Sequence, residues 1–561
     1  MKDRNRREFL VEAGIALTGV AASPYLLAES MPGGGASRRI MRGCMVDAAR
    51  VPESLDYYRR VIEFCADWEL NVLQFRLADD QGSALRFDSV PDLVVHKNAY
   101  TPEELRGLAD FATRHGVDLI PELESFGHTG YITRSPVYAH LFDGSTQGSS
   151  EFTGIIPVNP ETLQLFEKLY KEVTAIFPST YLHGGCDEVN WGGSALSRKA
   201  LETKTRAQIW AEYLNSLNHL LGSFGKQWIV WGDFVLHKEP EILGQLNKNI
   251  IIMDWNYSEI SSAKISEAYL KIRANGSRGI GAPALINYKW GARAGSEQLR
   301  NIDAYAESYL GSTLGSSDPA SLGVILTNWI PSRYLQNSIW DGFAYAAVAF
   351  NQGTATAQAS GFRRFVEKHY EARWNATWDE AFQLIYDFAP YVQDRETSSW
   401  MGLRLSIPWS NDEQLTALLV DASPWQNPFT KLRSLLVLLE TSVLKNLSDF
   451  KAFQLCVTYL ESAIWREAVI VEYTATHPME RAIAETLIRN IAERDQALAK
   501  GLSEDWDNGR PMDAPAKSEP VFGLAPKDQL LFQWRQATAY SASLASQPDR
   551  FYQLISATKR N

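Results

Sequence analysis

Two carboxylates stand side by side in the stretch TYLHGGCDEVNWGG, at Asp187 and Glu188, directly after Gly184, Gly185 and Cys186. Adjacent acids raise one another's pKa. Where their surroundings push the two values apart, one carboxyl is left a proton donor and the other an anion, the division of labour that acid-assisted bond cleavage requires. An acidic helix N-terminus after a strand has the same composition, so the pair alone leaves both readings open. The run Tyr181-Leu182-His183 before the glycines reads as a buried strand opening into a loop. Barrel enzymes keep their chemistry at such strand ends.

From about residue 39 the chain alternates apolar strand-like runs with amphipathic helical ones. RIMRGCMVD, LNVLQFRLAD, VDLIPELES, TYLHGGCDE, QWIVWGD, NIIIMDWNY, GIGAPALINY and GVILTNW are the eight strands, each followed by a helix, the first crossovers being PESLDYYRRVIEFCADWE and TPEELRGLADFATRHG. Strands apolar enough to be buried on both faces, in eight such pairs, predict an α/β fold, a closed (β/α)8 TIM barrel over residues 39–357. A doubly wound open sheet is the alternative, but RGCMVD is not the glycine-rich phosphate loop that fold favours after its first strand. The expected strand ends carry Arg42 and Asp47, Asp79 and Asp80, Glu122, Glu124 and His128, His183 with Asp187 and Glu188, Trp231 and Asp233, Trp255, Tyr288, and Trp329. Such a ring describes a pocket floored by carboxylates and walled by aromatics.

Beyond about residue 360 the strand signal stops, and apolar residues at heptad-like spacing predict an α-helical C-terminal domain over 360–561. Its apolar faces allow a homodimer. Residues 1–30 read as a twin-arginine-type signal peptide, with RREFL before a short apolar run, and imply a periplasmic or secreted protein with no membrane association in its mature form. The four cysteines show no zinc spacing, and an export route that carries folded proteins needs no disulfides. A net charge of −11 disfavours nucleic acid and anionic membranes as partners. Seventeen tryptophans suit a cleft that stacks on sugar rings, although a large core would also use them.

RGCMVDAAR, NVLQFRLADDQG, LIPELESFGH, LHGGCDEV, VWGD and TNW, in this order, together resemble glycoside hydrolase family 20, the β-N-acetylhexosaminidases, over about residues 39–355. The resemblance is to a compact glucosaminidase branch whose barrel begins without an N-terminal accessory domain. It implies an exo-acting hydrolase that releases terminal N-acetylglucosamine, or N-acetylgalactosamine, from an oligosaccharide or glycoconjugate without cofactor or metal. It assigns Glu188 as general acid and Asp187 as the group orienting the substrate's 2-acetamido carbonyl, which attacks C1 in place of an enzymic nucleophile and gives net retention. Arg42 would grip the sugar hydroxyls, while Trp231, Trp255 and Trp329 would wall the ring and the acetamide methyl. Tyr288 would donate to the acetamide oxygen. His128 and His183 would be linked to carboxylates near the acid, with Asp80 and Glu124 in the same layer. The sequence departs from the family pattern at Cys186, Ser83 and Pro331.

Two other readings compete. A cation held by His183, Glu122, Asp187 and His128 would make a metal-dependent barrel hydrolase, though no H-x-H or H-E-x-x-H spacing supports it. A barrel that binds glycans without turning them over is the other.

Overall fold

The computed structural model describes residues 39–144, 153–286, 293–311, 318–393, 408–416, 423–476, 480–509 and 530–557. Eleven strands occur among them: β1 (Met41–Asp47), β2 (Val72–Asp79), β3 (Gly82–Leu85), β4 (Val95–Tyr100), β5 (Asp118–Leu123), β6 (Tyr181–His183), β7 (Gln227–Trp231), β8 (Ile251–Asp254), β9 (Arg278–Gly281), β10 (Ala284–Ile286) and β11 (Ser321–Asn328). Eight of them, β1, β2, β5, β6, β7, β8, β9 and β11, pair in parallel in that order, and β11 returns to pair with β1. The sheet is therefore a closed (β/α)8 barrel, as the apolar strand runs predict. Met41, Met45, Val72, Ile120, Ile229, Ile251, Met253, Ile280 and Ile325 fill its core.

Local chemistry sets the helix starts. Thr101 and Glu104 form a reciprocal capping box on Pro102–Arg114, and Thr205 with Gln208 form another on Arg206–Ser223. Ser54 and Asn159 cap Leu55–Asp67 and Pro160–Ile176 with their side-chain oxygens.

Two crossovers differ from the sequence reading. Between β2 and the helix Pro102–Arg114, β3 folds back antiparallel on the end of β2 and β4 pairs with β3. After β7 the expected helix over EPEILGQLNK is instead a π-helical turn, Phe234–Lys238, followed by a 3₁₀ segment, Pro240–Gln245. Pro240 and Gly244 are poor helix-interior residues, and the short run never nucleates a full α-helix.

After the barrel, Thr354–His369 runs across the expected boundary near residue 360, and Met41–Asn561 form one compact unit. Arg60, on the first barrel helix, places Nη2 2.7 Å from Asp449 Oδ2 in the C-terminal helices, and His369 Nε2 lies 3.0 Å from the same oxygen. Arg293 pairs with Asp341, whose Oδ2 also accepts from Tyr386 at 2.8 Å. Buried charge pairs of this kind fix register between packed elements. Among the described residues no helix is long and apolar enough to cross a membrane.

Candidate active site

The C-terminal ends of the barrel strands are tied together by one buried cation. Arg76, on β2, reaches four carboxylates: Asp79 at 2.8 Å, Glu124 at 2.7 Å, Glu122 at 3.2 Å and Asp47 at 3.5 Å. Burial would lower its pKa, but the surrounding acids overcome this and hold the guanidinium firmly charged. Glu122 also accepts from Gln74 Nε2 at 2.6 Å and Trp231 Nε1 at 3.1 Å. Burial, with the charge of Asp187 adding to it, lifts Glu122 to about 7 and Glu124 well above its ordinary value. There are more acids than cations here, so protons are retained.

The loop after β6 brings the expected pair onto this floor. Gly185 takes φ +65°, and a Cβ there would sit 1.8 Å from Glu124 Oε2, so only glycine fits. Cys186 follows at φ +74° and donates its N–H to Glu124 Oε2 at 3.1 Å. Asp187 is buried, and its Oδ1 has no hydrogen-bond partner among the described residues. Its carbonyl presses on Gly127, where a Cβ would come within 2.0 Å. Glu188 has φ +47° and a side chain 36% exposed, the accessible member of the pair. His128 also has positive φ, at +48°. Left-handed backbone at three non-glycine residues in one small region is strain of the kind held at functional sites.

His128 joins the acids. Its Nδ1 lies 3.0 Å from Asp80 Oδ2, and its Nε2 lies 3.3 Å from Glu188 Oε2 and 3.7 Å from Asp187 Oδ2. Asp80 is fixed in turn by Gly130 N–H at 3.0 Å and by Thr153 Oγ1. Burial disfavours the imidazolium, but Asp187, Asp80 and Glu188 together raise His128 well above the usual histidine range. Burial raises Asp80 too, yet His128 outweighs it and brings that carboxyl down to about 2. Glu188 is likewise lowered overall, because His128, Arg50 and Lys238 outweigh its burial. His128 is therefore the more basic member of the pair. His183 is different: burial and the nearby Arg76 keep it neutral, with Nδ1 accepting from Gly185 N–H at 3.0 Å and its ring 4.4 Å from that of Trp231.

The aromatic residues take distinct places. Trp231 is 2% exposed and forms floor rather than wall, its ring 5.6 Å from Trp329. Trp329 Nε1 donates to Tyr257 Oη at 2.8 Å, and Tyr257 stacks on Trp255 at 5.0 Å. Tyr257 is a site residue the sequence reading passed over. Burial raises its hydroxyl pKa, and the charges of Asp187 and Glu188 add to the rise. Tyr288 lies outside the described residues.

Arg42 is corrected by the structure. It is the second residue of β1, far from the strand's C-terminal end, and its Nε donates to Phe350 O at 2.8 Å on the helix Trp340–Gln352. Strand alternation places Met41 and Met45 in the barrel core, and Arg42 falls in the opposite set. The arginine at the site is Arg50, in the loop after β1, with Nη1 2.8 Å from Asp47 Oδ2 and Nε 3.1 Å from Asp79 Oδ2. Its guanidinium lies 5.4 Å from the Trp329 ring centroid, and that of Arg76 lies 5.2 Å from it.

Donor atoms of His128, Asp187 and Glu188 lie within 4.8 Å of one another, the spacing of a cation site. Both ring nitrogens of His128 lie against carboxylates, Asp80 on one and Glu188 and Asp187 on the other, a hydrogen-bonded arrangement that these side chains make without a cation.

Fold and site together define a (β/α)8 barrel with a carboxylate pair at the end of the fourth barrel strand and aromatic side chains gathered beside it. Residues 40–288 match the model of glycosyl hydrolase family 20, catalytic domain. It is 28% identical over 298 residues to a β-hexosaminidase of Vibrio furnissii, covering 45% of this chain and 47% of that protein. It is 26% identical over 226 residues to a lacto-N-biosidase of Bifidobacterium bifidum, covering 38% of this chain and 19% of that one. The match thus spans less than half the length of either relative. A solved family 20 exo-β-N-acetylglucosaminidase of Vibrio harveyi, in complex with N-acetylglucosamine, aligns at 21% identity over 57% of this chain and 54% of its own, with a TM-score of 0.43.

Proposed function

We propose that the protein is an exo-acting β-N-acetylhexosaminidase that removes terminal N-acetylglucosamine, or N-acetylgalactosamine, from glycans with retention. The observation that carries this reading is the unequal state of the two adjacent acids. Asp187 is buried, and its Oδ1, without a hydrogen-bond partner among the described residues, is a ready acceptor for an amide N–H, while Glu188 is partly exposed and lies 3.3 Å from His128. A 2-acetamido sugar seated over the pair gives its N–H to Asp187, which turns the carbonyl oxygen toward C1. As the glycosidic oxygen leaves, it takes from Glu188 the proton that His128 has passed to it, which leaves Glu188 a carboxylate. The carbonyl oxygen bonds to C1, and the oxazolinium that forms keeps its positive charge beside the Asp187 carboxylate. Water then opens the ring with Glu188 acting as base, which restores the proton. Trp329, Trp255 and Tyr257 supply the stacking wall, and Arg50 supplies donors for ring hydroxyls.

Hydrolysis of aryl β-glycosides of N-acetylglucosamine, N-acetylgalactosamine and glucose tests the reading, beside Glu188→Gln and Asp187→Asn. Cleavage of the N-acetyl sugars alone, lost in both variants and untouched by a chelator, supports it. Equal cleavage of the glucoside refutes acetamide assistance, a rate abolished by the chelator favours the metal reading, and binding without cleavage favours a glycan-binding protein. RREFL and the apolar run after it support twin-arginine export to the periplasm or beyond. Proteolytic fractionation of cells producing the full chain, with the twin arginines replaced by lysines as control, tests that part.

A further inference from the structure

The general acid is held from its backbone side by residues to which neither the family resemblance nor the proposed chemistry gives a role. Glu188 sits in left-handed backbone, at φ +47°, and its N–H donates to Asp233 Oδ2 at 3.2 Å. The same oxygen accepts from Lys238 Nζ at 2.9 Å. Asp233 is buried, and its Oδ1 has no hydrogen-bond partner among the described residues, so Oδ2 carries all its directed contacts. Lys238 is itself fixed. It ends the π-helical turn Phe234–Lys238 and lies 4.3 Å over the Phe234 ring, which stacks on Trp210 at 4.1 Å. An acid that must meet a leaving oxygen in one orientation gains from such a clamp, since small misplacements cost rate steeply.

We propose that Asp233 and Lys238 are positioning residues for Glu188: the Asp233 carboxylate, braced by Lys238, fixes the left-handed turn at Glu188, and their opposite charges set how tightly the His128–Glu188 pair holds its proton. This rests on the reading of Glu188 as general acid. The charged and titratable groups around Glu188 are His128 from the loop after β5, Asp187 beside it, Arg50 from the loop after β1, Tyr257 from the loop after β8, and Asp233 and Lys238 after β7. Lys238 draws the pair's proton off, and Asp233 holds it on. Removing one charge should therefore act oppositely to removing the other, whereas mere loosening of the loop has no such sign.

The experiment follows the side-chain ¹⁵N signals of labelled histidine against pH in the full chain, with His128→Gln assigning the His128 signal, in wild type, Lys238→Met, Lys238→Arg and Asp233→Asn. The expected result is a titration midpoint displaced upward in Lys238→Met, downward in Asp233→Asn and unmoved in Lys238→Arg. On the aryl N-acetylglucosaminide, Asp233→Asn lowers kcat by on the order of 10- to 100-fold with KM little changed, and Lys238→Arg keeps the wild-type rate. Midpoints that stay put or move in the same direction overturn the proposal, as does an unchanged kcat in Asp233→Asn. If Asp233→Asn does not melt as a folded protein, the two variants at half-exposed Lys238 decide by the same criteria. A wild type that cleaves no N-acetyl sugar would refute the glycosidase reading, while the ¹⁵N midpoints still decide the clamp.

Discussion

His128 Nε2 lies 3.3 Å from Glu188 Oε2, so a single proton serves both side chains. With Asp80 at 3.0 Å on the other ring nitrogen, the imidazole is the more basic partner until a leaving oxygen draws the proton through Glu188. Replacing His128 by Gln leaves Glu188 to hold its proton alone. The alkaline limb of kcat/KM then moves to lower pH, and kcat falls by on the order of 100-fold, the usual scale of general acid catalysis. A pH–rate profile of His128→Gln checks this.

Arg50 and Arg42 separate function from framework. Arg50→Ala removes a guanidinium flanked by Trp329, Asp47 and Asp79 at the mouth of the site, and kcat/KM falls by roughly 10- to 100-fold, the loss of one or two charge-assisted hydrogen bonds to substrate. Arg42→Ala removes a bond to the Phe350 carbonyl, lowers thermal stability and leaves kcat/KM near wild type. Parallel kinetics and melting curves check both.

Arg76 is required for folding before it is required for chemistry. Arg76→Met leaves Asp79, Glu122, Glu124 and Asp47 buried without their common cation. The expected loss is about 3–5 kcal/mol, measured by denaturant unfolding.

Stability declines from mildly acidic to alkaline pH. Glu122 rises from 4.5 to about 7 on folding, Asp233 from 3.8 to about 6, and His128 well above 6.5. All three bind protons more tightly when folded, so their contributions are present below the unfolded values and are lost as pH climbs through the folded ones. Asp80 and His183 run the other way. Asp80 goes from 3.8 to about 2, and its contribution is lost only as pH falls through that lower range. His183, held well below 6.5 by burial and Arg76, loses its contribution as pH falls below the ordinary histidine value and offsets part of the gain from the three raised groups. Each proton retained by the folded state tilts stability by about 1.4 kcal/mol per pH unit. The melting temperature near pH 5 should exceed that near pH 8, as calorimetry at the two values would register.

The barrel was legible because eight strands buried on both faces leave continuous apolar runs that helices do not imitate. Asp187, Glu188, His128, Asp80 and Glu124 were legible because each stands at or just past such a strand's end. Arg42 misled because it shares a strand with Asp47 but sits on the opposite face. Counting back in twos from Asp47 puts Met45, Gly43 and Met41 inward and leaves Arg42 outward. Arg50 lies three residues into a loop, beyond the reach of any periodicity. Tyr257 was foreseeable, two residues after Trp255 at a strand end, since aromatic residues so spaced can share a wall. The clamp of Asp233 and Lys238 was not, because a π-helical turn brings together residues that α-helical spacing would not pair for this purpose. The β3–β4 excursion was hidden because β3 is four residues of mostly small side chains and β4 carries His96, Lys97 and Asn98 in its middle, so neither gives a hydrophobic run.

In the proposed mechanism the substrate's own acetamide acts as nucleophile, oriented by Asp187. The most direct measurement is kcat/KM on aryl β-glucosaminides whose N-acyl group carries none, one, two or three fluorine atoms. Fluorine withdraws electrons from the carbonyl oxygen, so the expected result is a steep fall with each atom added, flattened in Asp187→Asn. A rate indifferent to fluorine, or a glycosyl group found covalently attached to the protein during turnover, would contradict it.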